Sequence, residues 1–431
     1  MTPAARIAAA IALVAAIDAA PRKPADAVAN SFFRERRYIG SGDRRAVSDR
    51  VWGVIRSRRR LAWWLEQAGA RVSPRMLVAA SLLLEGWSLD GVVQSFAGGP
   101  FAPEKTIPAE RTALAQLEGH TLIDPRMPAG VRLEAPEWVV PLLAARFGAA
   151  LDDEMAAMEQ PAPVDLRVNL LKTDRATAQA MLAGEGLTSD PTPISPGGLR
   201  ALGRQPVTSG KAFKDGMIEI QDEGSQLIAA IVGAAPEMRV VDWCAGAGGK
   251  TLALAMTMNN RGHIVASDVS AIRLEGAVKR LRRAGVHNVE RHLAEAGDKW
   301  VKRRAGTFDR VLVDAPCTGT GTWRRNPDAR QRLTENDLAE LVVKQAAILE
   351  QAARLVRKGG RLVYATCSLL IEENEAQVEA FLAAHPEFAV LPLAEAWTLD
   401  TKLPCPGPFL SLTPRGHGTD GFFAAVLERV A

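Results

Sequence analysis

The stretch Asp242–Leu254, DWCAGAGGKTLAL, follows a short apolar run and passes into a segment of helical composition. Its GGKT ending is similar to the end of a phosphate-binding P-loop, but that loop needs a glycine five positions before Gly249. This sequence has Cys244 at that position. The turn therefore departs from a nucleoside triphosphate site, and its glycines indicate another ligand.

A second residue downstream narrows the ligand class. The turn CAGAGG lies between a strand pattern and a helix pattern, so its backbone can approach a ligand and a helix N-terminus can donate N–H groups. Asp268 ends the next strand pattern, about 20 residues on, where dinucleotide folds hold a ribose hydroxyl pair. The pattern fits a nicotinamide cofactor or S-adenosylmethionine. A structural turn beside a surface aspartate would also explain it.

From about residue 213, short apolar strand patterns alternate with helix patterns, which predicts a mostly parallel, doubly wound sheet. The strand patterns are MRVVDWC, HIVASDV, FDRVLVDAPC and GRLVYATCS. Ligands of such sheets bind beyond the carboxyl ends of the strands. The Gly-rich turn, Asp268, and the DAPC and TCS stretches all lie at such ends.

Two of the four cysteines occupy these strand ends. Cys317 follows Asp314 in DAPC, and Cys367 lies in ATCS. Either cysteine alone could be a small buried apolar residue. Hydride transfer has no use for such thiols, whereas methylation of a pyrimidine at carbon 5 needs a thiolate that adds at carbon 6. With no close cysteine pair, the sequence predicts neither a zinc site nor a disulfide scaffold.

The first 130 residues have helical apolar spacing and an excess of positive charge. Residues 1–75 hold 15 Lys and Arg against 6 Asp and Glu, a net charge of +9, although the whole chain carries only +4. Arginines mixed with aromatics in Phe32–Arg45 and Ile55–Trp64 suit a phosphate backbone with exposed bases. We expect Trp52, Trp63 and Trp64 to be core residues. The apolar run Ile7–Ile17 is too short to span a bilayer and predicts a buried helix.

Several stretches resemble the Sun/Fmu-type RNA cytosine-C5 methyltransferases. They are IQDEGSQLI, DWCAGAGGKT, FDRVLVDAPCTGTGTWRRNPD, LVYATCSLLIEENE and TDGFFAAVL. LRVNLLKTD resembles the RNA-contacting subdomain of that family, and GDRRAVSDRVWGVIR resembles the NusB-type helical domain of its ribosomal RNA branch. The resemblance implies a multidomain protein with an all-α NusB-like domain (1–132), a small α+β RNA-contacting subdomain (133–212) and a Rossmann-like methyltransferase domain (213–431).

The resemblance also implies roles for residues at matching positions. Cys367 would be the nucleophile, Cys317 would assist release of the methylated base, and Asp314 would lie between cofactor and cytosine. Residues that would bind S-adenosyl-L-methionine are Cys244, Ala245, Gly246, Ala247, Gly248, Gly249, Lys250, Asp268, Arg273 and Asp314. The family usually has Ala-Pro where this chain has Gly246-Ala247, which loosens the turn. Glu295 and Asp298 both remain candidates for an adenine contact.

Other readings stay open at this point. An amino-group methyltransferase would leave Cys367 without a role, and a catalytically silent RNA-binding or assembly factor would not need S-adenosylmethionine. The resemblance implies RNA as the partner, with small-subunit ribosomal RNA favoured and transfer RNA as an alternative. We expect a monomeric, cytoplasmic protein that uses no metal and no membrane.

Overall fold

The structure, a computed structural model, describes residues 1–295 and 298–431. They form two compact units. The helical unit comprises Met1–Glu159 with Trp323–Glu335. The second unit, called the catalytic unit after the methyltransferase resemblance of its sequence, comprises Gln160–Thr322 with Asn336–Ala431.

The α-helices are α1 (Pro3–Asp18), α2 (Ala25–Glu35), α3 (Ser41–Arg56), α4 (Arg58–Gln67), α5 (Pro74–Leu84), α6 (Leu89–Ser95), α7 (Pro108–Ala115), α8 (Ala129–Arg132), α9 (Val140–Phe147), α10 (Leu151–Glu159), α11 (Arg175–Gly184), α12 (Lys211–Lys214), α13 (Glu223–Ile231), α14 (Gly249–Thr257), α15 (Ala271–Ala284), α16 (Trp300–Arg303), α17 (Ala329–Arg332), α18 (Glu335–Ala353), α19 (Glu375–Ala384), α20 (Leu393–Ala396) and α21 (Pro414–His417). Short 3-10 helices span Glu137–Val139, Gly148–Ala150, Val207–Ser209, Thr320–Thr322 and Ile371–Glu373. The strands are β1 (Val164–Val168), β2 (Ser189–Pro191), β3 (Gly198–Ala201), β4 (Ile218–Ile220), β5 (Arg239–Trp243), β6 (His263–Asp268), β7 (Val289–Leu293), β8 (Phe308–Asp314), β9 (Val356–Thr366), β10 (Phe388–Leu391), β11 (Leu410–Leu412) and β12 (Phe422–Arg429).

The N-terminal apolar run forms a buried helix, as predicted. Thr2 caps α1 by accepting the Ala5 N–H at 3.2 Å, and Pro3 follows at a position where its missing N–H costs nothing. Leu13 and Val14 are fully buried in one core with Trp63 and Trp64, and Trp52 packs against it half-buried. None of the helices that the structure describes is long and apolar enough to cross a membrane.

Arg58 and Arg60, in the arginine run expected to contact RNA, have side-chain partners within the helical unit. Arg58 forms two hydrogen bonds with the Asp18 carboxylate at 2.8 and 2.9 Å. Arg60 is only 4% exposed, pairs with Glu159, and donates to the Arg132 carbonyl. The expectation was wrong for Arg60, because a guanidinium buried in an ion pair cannot also bind a phosphate.

The helical unit also contains a segment from far along the chain. Trp323 and Arg330 are fully buried there, with the guanidinium 5.6 Å from the indole centroid. Asp328 accepts the Ala25 N–H at the start of α2 at 3.0 Å, and Arg330 donates to the Glu134 carbonyl at 3.3 Å. The end of the FDRVLVDAPCTGTGTWRRNPD stretch therefore helps to build the helical unit.

A four-stranded antiparallel sheet, in the order β2-β3-β1-β4, opens the catalytic unit. Its last strand, β4, lies beyond residue 212, where the sequence pattern placed a boundary. Residues 133–159 cluster with the helical unit, where Glu159 pairs with the buried Arg60.

The larger sheet has the order β10-β12-β9-β8-β5-β6-β7, with β11 paired to β12. Strands β7, β6, β5, β8 and β9 are parallel, and β12 runs antiparallel to β9 and β10. The four predicted strands are β5, β6, β8 and β9, so this part of the fold is confirmed. The order reverses between β5 and β8, and a ligand is expected beyond the carboxyl ends there.

Candidate active site

The Gly-rich turn follows β5, and its positive φ angles occur at glycines and also at one cysteine. Gly246 and Gly248 have positive φ angles of 56° and 79°, but so does Cys244, at 79°. The N–H groups of Cys244 and Ala245 both donate to the Ser267 carbonyl at 2.9 Å, which holds Cys244 in this uncommon conformation. The residue that breaks the P-loop pattern therefore adopts a backbone angle typical of glycine.

Asp268, at the end of β6, faces the same turn. Its Oδ2 accepts the Gly246 N–H and its Oδ1 accepts the Ser270 N–H, each at 2.8 Å. Both carboxylate oxygens keep further lone pairs, so the group can also accept hydrogen bonds from a ligand hydroxyl pair.

Lys250 does not present a free ammonium group to a phosphate. Its Nζ donates to Asp314 Oδ2 at 2.6 Å, and its side chain is buried. Burial opposes the charge, but the Asp314 carboxylate outweighs this effect, so the pKa of Lys250 is raised. Lys250 thus fixes Asp314 at the end of β8.

A cavity of about 660 Å³ lies between the strand ends and α18. Its wall is formed by Trp243, Cys244, Ala245, Gly246, Ala247, Ser267, Asp268, Val269, Arg273, Ala294, Asp314, Pro316, Lys344, Ala347, Ile348 and Gln351. Burial, and then the carboxylates of Asp314 and Asp268, raise the pKa of Cys244 to about 12, so this thiol stays protonated. The wall combines apolar surface with acidic groups.

Gly248, Gly249 and Lys250 are outside that wall, because they begin α14 behind the turn. Two arginines donate hydrogen bonds to backbone carbonyls of the turn. Arg167 donates to the Gly249 carbonyl at 2.8 Å, and Arg280 donates to the Ala247 carbonyl at 2.7 Å. Asp298 accepts the Trp300 N–H at 2.8 Å and pairs with His292 at 3.0 Å. Ala296 and Gly297, between the two adenine candidates, lie outside the described residues.

The two strand-end cysteines meet next to this cavity. Cys317 Sγ and Cys367 Sγ are 3.4 Å apart, and both residues are half-buried. The hydrogen bond with Cys367, burial and neighbouring negative charge raise the pKa of Cys317 well above its usual range. Either thiol can be the donor in this contact.

Two glycines approach each other closely next to Cys367. The Gly421 N–H donates to the Gly321 carbonyl at 2.8 Å, and the Gly321 N–H donates to the Cys367 carbonyl at 2.9 Å. A Cβ atom on Gly321 would lie 2.1 Å from the Gly421 oxygen, so no larger residue fits. This close approach gives a physical reason for Gly321 in the TGTG stretch and for Gly421 in the TDGFF stretch.

Sequence reasoning missed two sets of residues. Helix α18 lies between the predicted strands of DAPC and ATCS, but nothing in its sequence assigned Lys344 or Gln351 to a cavity wall. Glu373 was quoted in the LLIEENE stretch without a role, yet it is fully buried beside the DAPC turn. Its burial could have been suspected only from its nearness to Cys367 in sequence.

Comparison with known proteins agrees with this geometry. Residues 229–428 match the family model described as 16S rRNA methyltransferase RsmB/F, and residues 135–208 match the ferredoxin-like domain of RsmF/B-like methyltransferases. The probable ribosomal RNA small subunit methyltransferase B of Synechocystis sp. is 32% identical over 92% of this chain and 93% of its own. The chain belongs to the RsmB/F methyltransferase family.

Other relatives agree with this assignment. The ribosomal RNA small subunit methyltransferase B of Xanthomonas campestris is 33% identical over 69% of this chain and 67% of its own. The crystal structure of PH0851 covers 99% of both chains with a TM-score of 0.80 at 25% identity. A methyltransferase homologue from Pyrococcus horikoshii covers 71% of this chain and all of its own, with a TM-score of 0.61 at 30% identity.

S-adenosylmethionine is the cofactor of the RsmB/F family, and the cavity fits it. Asp268 offers acceptors suited to ribose hydroxyls, while Asp314 supplies negative charge suited to a sulfonium. A Cβ on Gly246 would meet nothing within 4 Å, so the turn borders open space. When bound, the cofactor supplies an electrophilic methyl group.

Proposed function

We propose that this protein transfers a methyl group from S-adenosylmethionine to carbon 5 of a cytosine in small-subunit ribosomal RNA. The observation that carries the proposal is the pair of thiols 3.4 Å apart, at strand ends next to Asp314. Carbon 5 of cytosine is a poor nucleophile until a thiolate adds to carbon 6, whereas methylation of an amino group needs no thiol.

Cys367 is the nucleophile in this proposal. In this proposal its sulfur accepts the hydrogen bond from the Cys317 thiol, an assignment that agrees with the raised pKa of Cys317. Such a bond stabilises a thiolate at Cys367. Its addition to carbon 6 moves electron density to carbon 5, which then accepts the methyl group.

Asp314 holds the polar edge of the cytosine and favours protonation that eases the attack. Lys250 fixes its carboxylate through the 2.6 Å hydrogen bond. Asp314 borders the cofactor cavity and is separated from Cys317 by only two residues, a position that suits a group lying between the two substrates.

Cys317 assists release of the product. The hydrogen bond with Cys367 is the largest cause of its raised pKa, and that cause disappears once Cys367 is bonded to carbon 6. The Cys317 thiol then loses its proton to solvent more easily, and the resulting thiolate can remove the proton from carbon 5. Electrons of that C–H bond form the carbon 5–carbon 6 double bond as the bond to Cys367 breaks.

The helical unit, which we propose to be NusB-like, binds RNA through α2 and the start of α3. An open cleft of about 740 Å³ is lined by Asn30, Phe33, Arg34, Arg37 and Arg44. Among the described residues, neither Arg34 nor Arg37 has an ion-pair partner, and both are exposed. Tyr38 beside them is 75% exposed and suits stacking with an unpaired base.

Bisulfite sequencing of total RNA from a strain lacking this protein tests the function. The proposal predicts that one 5-methylcytosine is lost from small-subunit ribosomal RNA and that expression of the intact chain restores it. Loss from transfer RNA instead would change the substrate, and no lost methylcytosine, together with no binding of S-adenosylmethionine, would indicate a silent assembly factor.

A further inference from the structure

The turn that carries Cys317 is held on both sides by a buried acid and a buried amide. Glu373 is fully buried; its Oε1 accepts the Thr318 N–H at 2.8 Å, and its Oε2 accepts the Thr318 hydroxyl. Gln345, also fully buried on α18, donates to Glu373 Oε1 and to the Pro316 carbonyl, both at 2.9 Å. The residues immediately before and after Cys317 are therefore anchored to one hydrogen-bonded group.

The acid itself is fixed by the protein around it. The Tyr364 hydroxyl, fully buried in β9, donates to the Glu373 carbonyl at 2.6 Å. The next residue, Asn374, accepts a hydrogen bond from Thr366 and donates to the Ser368 carbonyl at 2.9 Å. Asn374, the residue after Glu373, therefore contacts both residues that flank Cys367.

We propose that Glu373 is a positioning residue that, with Gln345, holds the Pro316–Thr318 turn and keeps a fixed negative charge beside the Cys317 thiol. This inference rests on the function proposed above and deepens the role of its second cysteine. Three donated hydrogen bonds hold the two oxygens of Glu373 in place.

The fixed charge matters most at product release. Before the reaction, the hydrogen bond with Cys367, burial, the Cys367 charge and the Glu373 charge together raise the pKa of Cys317. Once Cys367 is bonded to carbon 6, its two contributions vanish and that of Glu373 remains. Glu373 then keeps the Cys317 thiolate basic enough to take the proton from carbon 5, while the turn holds its sulfur in place.

Alkylation of Cys317 tests the charge without RNA. In the Cys367→Ala background, peptide mass spectrometry follows the rate at which iodoacetamide modifies Cys317 at each pH. The alkylation midpoint is the pH at which this rate is half its maximum. Glu373→Gln keeps the size of the side chain and removes its charge, so this midpoint should fall by about one pH unit. Glu372→Gln, the same charge change one residue earlier, is the matched control and should not shift it.

Single-turnover methylation of a small-subunit ribosomal RNA transcript tests the positioning role. Gln345→Met keeps the Glu373 charge but removes both hydrogen bonds, so product release should slow about ten- to a hundredfold while the alkylation midpoint stays at its control value. In the otherwise wild-type chain, Glu373→Gln should move the pH dependence of release to lower pH. Thermal unfolding and a cofactor titration check that each variant is folded.

The results separate this inference from the proposed function. If the alkylation midpoint does not shift in Glu373→Gln, or shifts equally in Glu372→Gln, the claim that the Glu373 charge acts on the Cys317 thiol is refuted. Wild-type release in Gln345→Met overturns the positioning role. Absence of any methylated cytosine with the intact chain overturns the proposed function instead, while the alkylation result still reports on the charge.

Discussion

Asp268 offers the sharpest test of the cofactor site, because its two oxygens already have defined partners. Both Gly246 and Ser270 donate N–H groups to this carboxylate at 2.8 Å. A bound ribose would add hydrogen bonds to the same charged group. A hydrogen bond to a charged group contributes about 1.5–3 kcal/mol, so losing one should raise the Kd for S-adenosylmethionine about 10- to 150-fold.

Two substitutions separate charge from shape at this position. Asp268→Ala removes both acceptors, so it also loosens the turn at Gly246. Asp268→Asn keeps the shape of the side chain, but its amide nitrogen is a donor and would face the N–H of Gly246 or Ser270. We therefore expect weaker binding of S-adenosylmethionine in this variant as well. Asp190→Ala, an exposed aspartate in β2, is the control for loss of a carboxylate in the same unit.

The assay is isothermal titration calorimetry with S-adenosylmethionine, paired with filter binding of ribosomal RNA. We expect a higher Kd for the cofactor in both Asp268 variants, an unchanged Kd in Asp190→Ala, and unchanged RNA binding in all three. A wild-type cofactor Kd in folded Asp268→Ala would remove this residue from the site and refute the reasoning.

Two further outcomes follow from the geometry. The double variant Arg34→Gln, Arg37→Gln should make the fall of log affinity for RNA with log salt less steep, by about one unit per lost phosphate contact. An unchanged slope would mean that Arg34 and Arg37 are only solvated. Arg60→Gln should instead lower the melting temperature, because it breaks a buried ion pair. In denaturant unfolding, Gly321→Ala should destabilise the chain by about 1–3 kcal/mol, because its Cβ would lie 2.1 Å from the Gly421 oxygen. The control Gly276→Ala has open space around it in α15 and should be neutral or stabilising. Equal stability of the two variants would contradict the close approach.

The sequence predicts the parallel strands well, because each is a short apolar run that ends in small or polar residues. It also placed Asp268, Cys317 and Cys367 at one edge, since parallel strands end on the same side of a sheet. The 3.4 Å contact between the thiols lies beside the Gly321–Gly421 approach, and both contacts join residues far apart in sequence.

Other features could not be inferred from local pattern. A run of arginines does not reveal whether a carboxylate lies beside it, so Arg34 and the buried Arg60 look alike in sequence. The motif that begins at Phe308 extends to Asp328, yet its last residues are packed in the helical unit. Because the motif is continuous in sequence, all of it was expected in the catalytic unit, but only the part up to Thr322 lies there.

The central claim, a covalent mechanism with Cys367 as nucleophile, is tested most directly by denaturing gel analysis of the two cysteine variants with ribosomal RNA. Cys317→Ser should add to the base and transfer the methyl group but stall at release, so an enzyme–RNA adduct should accumulate and run as a shifted band. Cys367→Ser should form no adduct, even with 5-fluorocytosine RNA, because a serine hydroxyl is un-ionised near neutral pH. An adduct with Cys367→Ser and none with Cys317→Ser would reverse the roles, and methylation that persists in both without an adduct would contradict the covalent mechanism.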